Sequence, residues 1–246
     1  MLRDEYKGLI DDFTKNVKNN LQNELDSLLL IGSVASGEHI AGESDCDFLL
    51  ILKPEAMEGN ALFNTLQKIS ALIQPYLEDP LYSALIDVDV ISTADLPNDG
   101  KNSVYPWTKV VMAQKGKALI GENPFASIEV TDEQLKTAAE EMARNFYAQM
   151  KEIVIFPQEE EYQQIYMMVE ATLGLACAYL YYQGERDFYR SNAYVLFEEK
   201  YKDKINIEPV QLSQRLRLAA KSVDTSNYIE KCVAFGRSVI EQIFNE

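Results

Sequence analysis

The sequence predicts an α+β chain in which a mixed strand-and-helix half precedes an all-helical half. Three observations carry this. Two short all-apolar runs, Leu28–Ile31 and Phe48–Leu52, alternate with stretches of helical periodicity. Past Pro124 the strand-like pattern stops and only helical spacing remains. The composition, 47% hydrophobic and 25% charged over 246 residues, is that of a folded globular chain long enough for two domains.

Residues 2–26 read as an amphipathic helix, because Leu2, Leu9, Phe13, Val17, Leu21 and Leu25 recur at intervals of three, four or seven. Leu28–Ile31 is a buried strand that runs into a tight turn at Gly32-Ser33. Phe48–Leu52 is a second strand, introduced by Ser44-Asp45-Cys46-Asp47 and stopped by Pro54. Residues 56–78 present Leu62, Leu66, Ile69, Leu72, Ile73 and Leu77 on one helical face. Leu85–Ile91 is a third strand, closed by turn formers at Asp95–Asn102. A helix over 104–115 and a last strand at Ala118–Ile120 complete an α/β or α+β domain over residues 1–126. Thr131-Asp132-Glu133-Gln134 is a capping box that opens a helix to about Ile155. Helices follow over roughly 159–183, 190–202, 208–222 and 226–244, with breaks at Pro157, Gly184, Pro209 and the Asp224–Asn227 cluster. Residues 127–246 therefore read as an all-α bundle.

The chain carries 23 basic and 39 acidic side chains, a net charge of −16 spread over both halves. This argues against a broad nucleic-acid-binding surface and suits a small or cationic substrate. Cys46, Cys177 and Cys232 are isolated and form no metal-binding pair, which points to free thiols in a reducing cytoplasm. The start, MLRDEYKG, is charged too early for a secretory signal. Ile165–Tyr182 is nearly long enough to cross a membrane. Its Glu170 and four tyrosines make it a buried bundle helix instead, so no membrane partner is expected.

The stretch that carries chemistry is Ile31–Leu52, IGSVASGEHIAGESDCDFLLIL. Asp45 and Asp47 stand at i and i+2, so on a strand both point to one face, with Cys46 on the other. Adjacent anions repel unless a cation sits between them, and a hard divalent ion with oxygen ligands is the usual answer. Upstream, Gly32 lets backbone approach a ligand closely, and Ser33 offers a hydroxyl and an N–H to a phosphate oxygen. The strand Leu85–Ile91 adds Asp87 and Asp89 on one shared face. Acidic residues embedded in an apolar strand are costly unless used. Metal carboxylates beside a phosphate-gripping turn are the parts that place and activate a nucleoside triphosphate.

These motifs, Ile31-Gly32-Ser33, Asp45-Cys46-Asp47 and the later Asp89 within VDVISTADL, resemble the nucleotidyltransferase superfamily typified by DNA polymerase β. The longer stretch GSVASGEHIAGESDCD, with Gly37 and Ser44, is similar to the aminoglycoside nucleotidyltransferase branch, as is the tail KALIGENPF at 117–125. The resemblance covers residues 1–126 closely and residues 127–246 only in general layout. It implies a nucleotidyltransferase-fold mixed sheet with helices, followed by a helical bundle on the acceptor side. It further implies that Gly32, Ser33 and Ser44 bind the nucleotide, and that Asp45, Asp47 and Asp89 bind two Mg²⁺. Asp89 would also help deprotonate the acceptor. The implied reaction moves a nucleoside monophosphate from a triphosphate, ATP foremost, to a hydroxyl of a small, aminoglycoside-like cation and releases pyrophosphate.

Within the third strand, Asp89 fits the superfamily pattern better than Asp87. Asp87 is then expected at the cleft edge, facing a cationic acceptor. Glu170, in the apolar helix, is a second candidate for the acceptor, against a structural pairing with Arg or Lys. His39 reads as a solvated loop residue. Arg186, Arg190, Lys200, Lys202 and Lys204 are basic residues of the second half able to meet a triphosphate, against a solvated helix face. Two other readings stand beside the leading one: transfer to a protein or RNA acceptor, as in toxin–antitoxin nucleotidyltransferases, and a non-catalytic nucleotide-binding module on the same fold.

Overall fold

The apolar runs of the first half become the two central strands of one sheet, and helices cover both of its faces. The computed structural model describes residues 4–37, 39, 44–96, 105–190, 192–219 and 225–245. The chain divides into two compact units, Met1–Glu129 and Val130–Glu246, a boundary three residues beyond the expected one.

In the first unit, α1 (Asp4–Asn20) leads into β1 (Leu25–Ile31), and a five-residue helix, α2 (Gly32–Ser36), follows directly. Next come β2 (Cys46–Leu52), α3 (Gly59–Glu78), β3 (Ile86–Ser92), α4 (Trp107–Gln114) and β4 (Lys117–Ile120). The strand order is β3-β2-β1-β4. β1 runs antiparallel to β2 and β4, whereas β2 and β3 are parallel, so the sheet is mixed. The parallel pair needs a crossover, and the 20-residue α3 supplies it.

The sheet alternates cleanly. Leu28, Leu30, Cys46, Phe48, Leu50 and Leu52 join Leu9, Phe13 and Val17 of α1 and Ile69 and Tyr76 of α3 in one buried cluster. Strands covered on both faces read as continuous apolar runs rather than as alternation, which is the pattern of Leu28–Ile31 and Phe48–Leu52. Several boundaries differ from expectation, most of all those around the first strand. The first helix ends at Asn20 rather than near residue 26, and β1 begins at Leu25 rather than Leu28. Leu21 and Leu25 are buried as their spacing demanded, but through a turn in which Leu25 N–H donates to Leu21 O at 2.8 Å. Apolar spacing reports burial, not which backbone hydrogen bonds achieve it.

The second unit contains α5 (Asp132–Ile155), α6 (Glu161–Tyr182), α7 (Ala193–Tyr201), α8 (Glu208–Ala219) and α9 (Tyr228–Phe244). Thr131 Oγ1 accepts from Gln134 N–H at 3.2 Å and Gln134 Oε1 accepts from Thr131 N–H at 2.9 Å, the reciprocal cap read from the sequence. α6 packs against α5, α7, α8 and α9, and 72% of its apolar stretch is buried. That burial accounts for its hydropathy without a membrane. Of the turn expected at Asp95–Asn102, residues 97–102 lie outside the described residues, as do Asp224 and residues 220–222 of the expected fourth helix.

Candidate functional site

The site is built where β1 ends and β2 and β3 begin, side by side. β1 hands over to α2 at Gly32, whose φ of 72° lies in the left-handed region. A Cβ at this position would sit 2.1 Å from Asp47 Oδ2. Only a glycine lets the backbone lie against that carboxylate. The expected tight turn at Gly32-Ser33 is thus the first residues of a short helix, closed at Gly37 with φ 81°. Ser33 is half-buried, and its carbonyl accepts from Ser36 Oγ at 3.0 Å.

β2 carries the acidic pair. Asp45 and Asp47 are half-buried and Asp87 is exposed, and one oxygen of each lies within 4.8 Å of the others. The register explains the grouping. Parallel pairing puts Asp87 opposite Asp47, and antiparallel pairing puts Ile31 opposite Asp47, so the three occupy one row across the sheet. Asp89 falls one row further along, opposite Leu49. Its Oδ2 accepts from Lys109 Nζ at 2.8 Å and its Oδ1 from its neighbour Val90 N–H at 3.0 Å. The β3 carboxylate grouped with Asp45 and Asp47 is therefore Asp87, whereas Asp89, expected there from the sequence, is paired with Lys109. Both point to the same face, so strand alternation alone could not separate them; the pairing register does.

The opposite face of β2 is closed. Burial raises the Cys46 thiol to about 12, helped by the charges of Asp47 and Asp45, so it stays protonated and packs as an apolar group. Tyr6 of α1 fastens the approach to β2. Its hydroxyl donates to Ser44 O at 2.8 Å, and its ring meets His39 edge-on with centroids 5.1 Å apart. Ser44 is buried, and His39 is half-buried against Tyr6 rather than fully solvated. Residues 38 and 40–43 of this loop lie outside the described residues.

Two neighbours of the acidic row carried no sequence signal. Tyr105 is buried, and its hydroxyl is pushed upward by burial and by the charges of Asp89 and Asp47. Lys109, on the first turns of α4, lies 5.4 Å from the centroid of the Tyr105 ring while it pairs with Asp89. A single lysine in a helix has no pattern to mark it. Only the approach of α4 to this sheet face gives it a partner.

In the second unit, Glu170 Oε2 pairs with Arg190 Nη1 at 2.7 Å, and the Glu170 carbonyl accepts from Arg190 Nη2. Arg186 pairs with Asp132 and Lys200 with Glu185, each at 2.7 Å. These groups therefore have structural partners inside their own unit.

Replacing Gly32 should be costly. Gly32→Ala is expected to lose about 1–2 kcal/mol from the left-handed backbone alone, and more from displacement of the Asp47 carboxylate. Urea denaturation measures the first effect, and a change in the response of the melting temperature to added divalent cation would report the second. If both were unchanged, the close approach of Gly32 to Asp47 would have no part in the site. No known protein-family pattern and no curated protein matches this chain.

Proposed function

We propose that the first unit is a nucleotidyltransferase domain and the second a helical bundle, and that the acidic row is the catalytic centre of a Mg²⁺-dependent transfer. The reaction moves a nucleoside monophosphate from a triphosphate, ATP foremost, to the hydroxyl of a small cationic acceptor. The observation that carries this reading is the convergence of Asp45, Asp47 and Asp87 within 4.8 Å beside a glycine at which any Cβ would collide with the Asp47 carboxylate.

The donor set fits the metal. Three carboxylates supply only hard oxygen ligands, which suits Mg²⁺ and suits neither thiolate- nor imidazole-seeking ions. Asp45 and Asp47 would hold the ions, and Asp87 would complete their ligands. When bound, Mg²⁺ supplies charge neutralisation between the carboxylates and the triphosphate and polarises the phosphoryl group. Ser33, on the first turn of α2, would offer its hydroxyl and Gly32 its backbone to phosphate oxygens, whereas Ser44 is buried and would only support the approach to β2. Asp87, the most exposed of the three, takes the proton as the acceptor oxygen attacks the α-phosphorus and the bond to pyrophosphate breaks. Asp89 holds Lys109, which keeps one positive charge next to the acidic row. The net charge of −16 favours a cationic acceptor.

The purified chain, given labelled ATP, Mg²⁺ and a panel of hydroxyl-bearing cations that includes amino-sugars, is expected to release pyrophosphate and label an acceptor. Chelation of the metal should stop it. Pyrophosphate release that labels the protein itself or added RNA would move the acceptor to another class. No release with any triphosphate would remove the transferase reading.

A further inference from the structure

A cleft of about 240 Å³ opens beside the edge strand β4 of the first unit. The buried Ile10 of α1, Leu30 of β1 and Val34 of α2 form its floor. Ala35 and Leu119 are half-buried at its sides, and the exposed Lys7, Asp11 and Lys117 stand at its rim. The cleft is on the other side of the sheet from the acidic row. Leu30 pairs with Phe48 and shares the face covered by α1, whereas Ile31 pairs with Asp47 and shares the acidic face.

The topology explains the space. β4 is a four-residue edge strand, and α2 meets the cleft with only a valine and an alanine. The register sets Lys117 opposite Leu30, so a cationic side chain borders the apolar floor where a core residue could have stood. Lys7 reaches the same rim from α1. Neither lysine forms an ion pair among the described residues, Asp11 included, so both charges are available to a ligand.

We propose that this cleft binds a small apolar monocarboxylate, at a site separate from the acidic row. Three properties define that class. The floor is hydrocarbon, so the ligand's body is apolar. An apolar cavity of about 150 Å³ holds one benzene ring, so this cleft has room for a ring with a short arm. The rim carries two cations and one anion, and the surplus of a single positive charge matches a single negative one. In a chain of net charge −16 an anion is held only where local cations outnumber anions, as they do here.

Isothermal titration calorimetry of the full chain with phenylacetate, without nucleotide or metal, is the test. One site with a Kd at or below about 1 mM is expected for a ligand of this size. Phenylacetamide, which has the same shape without the charge, is expected to bind at least about tenfold more weakly. Lys7→Gln/Lys117→Gln should show the same loss for phenylacetate. Lys15→Gln/Lys18→Gln changes the net charge equally at exposed positions of α1 outside the cleft and should leave binding unchanged. Ala35→Leu fills the cleft with both lysines in place and should also lose binding, with its melting temperature as the control for folding. No binding up to about 10 mM, tenfold above the expected Kd, would overturn the proposal. So would equal affinity for the amide, or an equal loss in the two lysine pairs. None of these measurements uses a triphosphate or a metal, so their failure is distinct from failure of the transferase reading.

Discussion

Asp47→Ala is expected to reduce nucleotidyl transfer to below about a tenth of the wild-type rate, a barrier increase of more than about 1.4 kcal/mol, while the protein stays folded. Asp47 is the middle member of the acidic row. It lies between Asp87 across the parallel pair and Gly32 at the end of β1, on the same strand face as Asp45. Without it, two carboxylates of the three remain. The fold should not suffer in the absence of metal, because removing one of three converging anions relieves their repulsion. Apo stability should therefore be equal or slightly higher. Magnesium gives an independent readout. A ligand that binds only the folded state raises the melting temperature, so Mg²⁺ should stabilise wild type and leave Asp47→Ala unchanged. A variant that keeps more than about a tenth of the rate, or an equal response to Mg²⁺, would detach Asp47 from any metal site.

The second large effect separates the two acidic residues of β3. On the proposed reading Asp87→Asn is expected to abolish transfer, since it would remove both a charged metal ligand and the proton acceptor beside Asp45 and Asp47. Asp89→Asn keeps one oxygen, which can accept from Lys109 or from Val90 N–H but not from both, because the two bonds use different carboxylate oxygens. It loses one of these bonds and the ionic part of a half-exposed pair, worth up to about 1 kcal/mol. Its rate should therefore stay within about fivefold of wild type. Single-turnover kinetics on both variants, with metal-dependent melting as the control, make the comparison. The superfamily pattern in the sequence favours the opposite assignment. If Asp89→Asn is dead and Asp87→Asn active, the row that matters is the one containing Leu49, and the pairing register of β2 with β3 does not describe the working site.

The legible parts of this molecule are those in which local chemistry and burial coincide. The capping box at Thr131–Gln134 needs only its own four residues, and it forms as read. The strand cores Leu28–Ile31 and Phe48–Leu52 are apolar on both faces, because helices flank the sheet. Asp45 and Asp47 share a face by strand alternation alone. The helix end at Asn20 was not legible, since Leu21 and Leu25 continue the helical spacing while the backbone turns away.

What the sequence determined by itself is the order of elements, the apolar faces and the presence of a dense acidic motif after a Gly-Ser. These follow from properties of neighbouring residues. The tertiary structure alone decided which distant groups meet. The register of β2 on β3 set Asp87 opposite Asp47 and Asp89 opposite Leu49, the left-handed Gly32 was set close to the Asp47 carboxylate, and α4 brought Lys109 to Asp89. A strand has the same alternation in every register that differs by two residues, so its sequence is silent on the choice. That choice is made by the sum of contacts across the sheet.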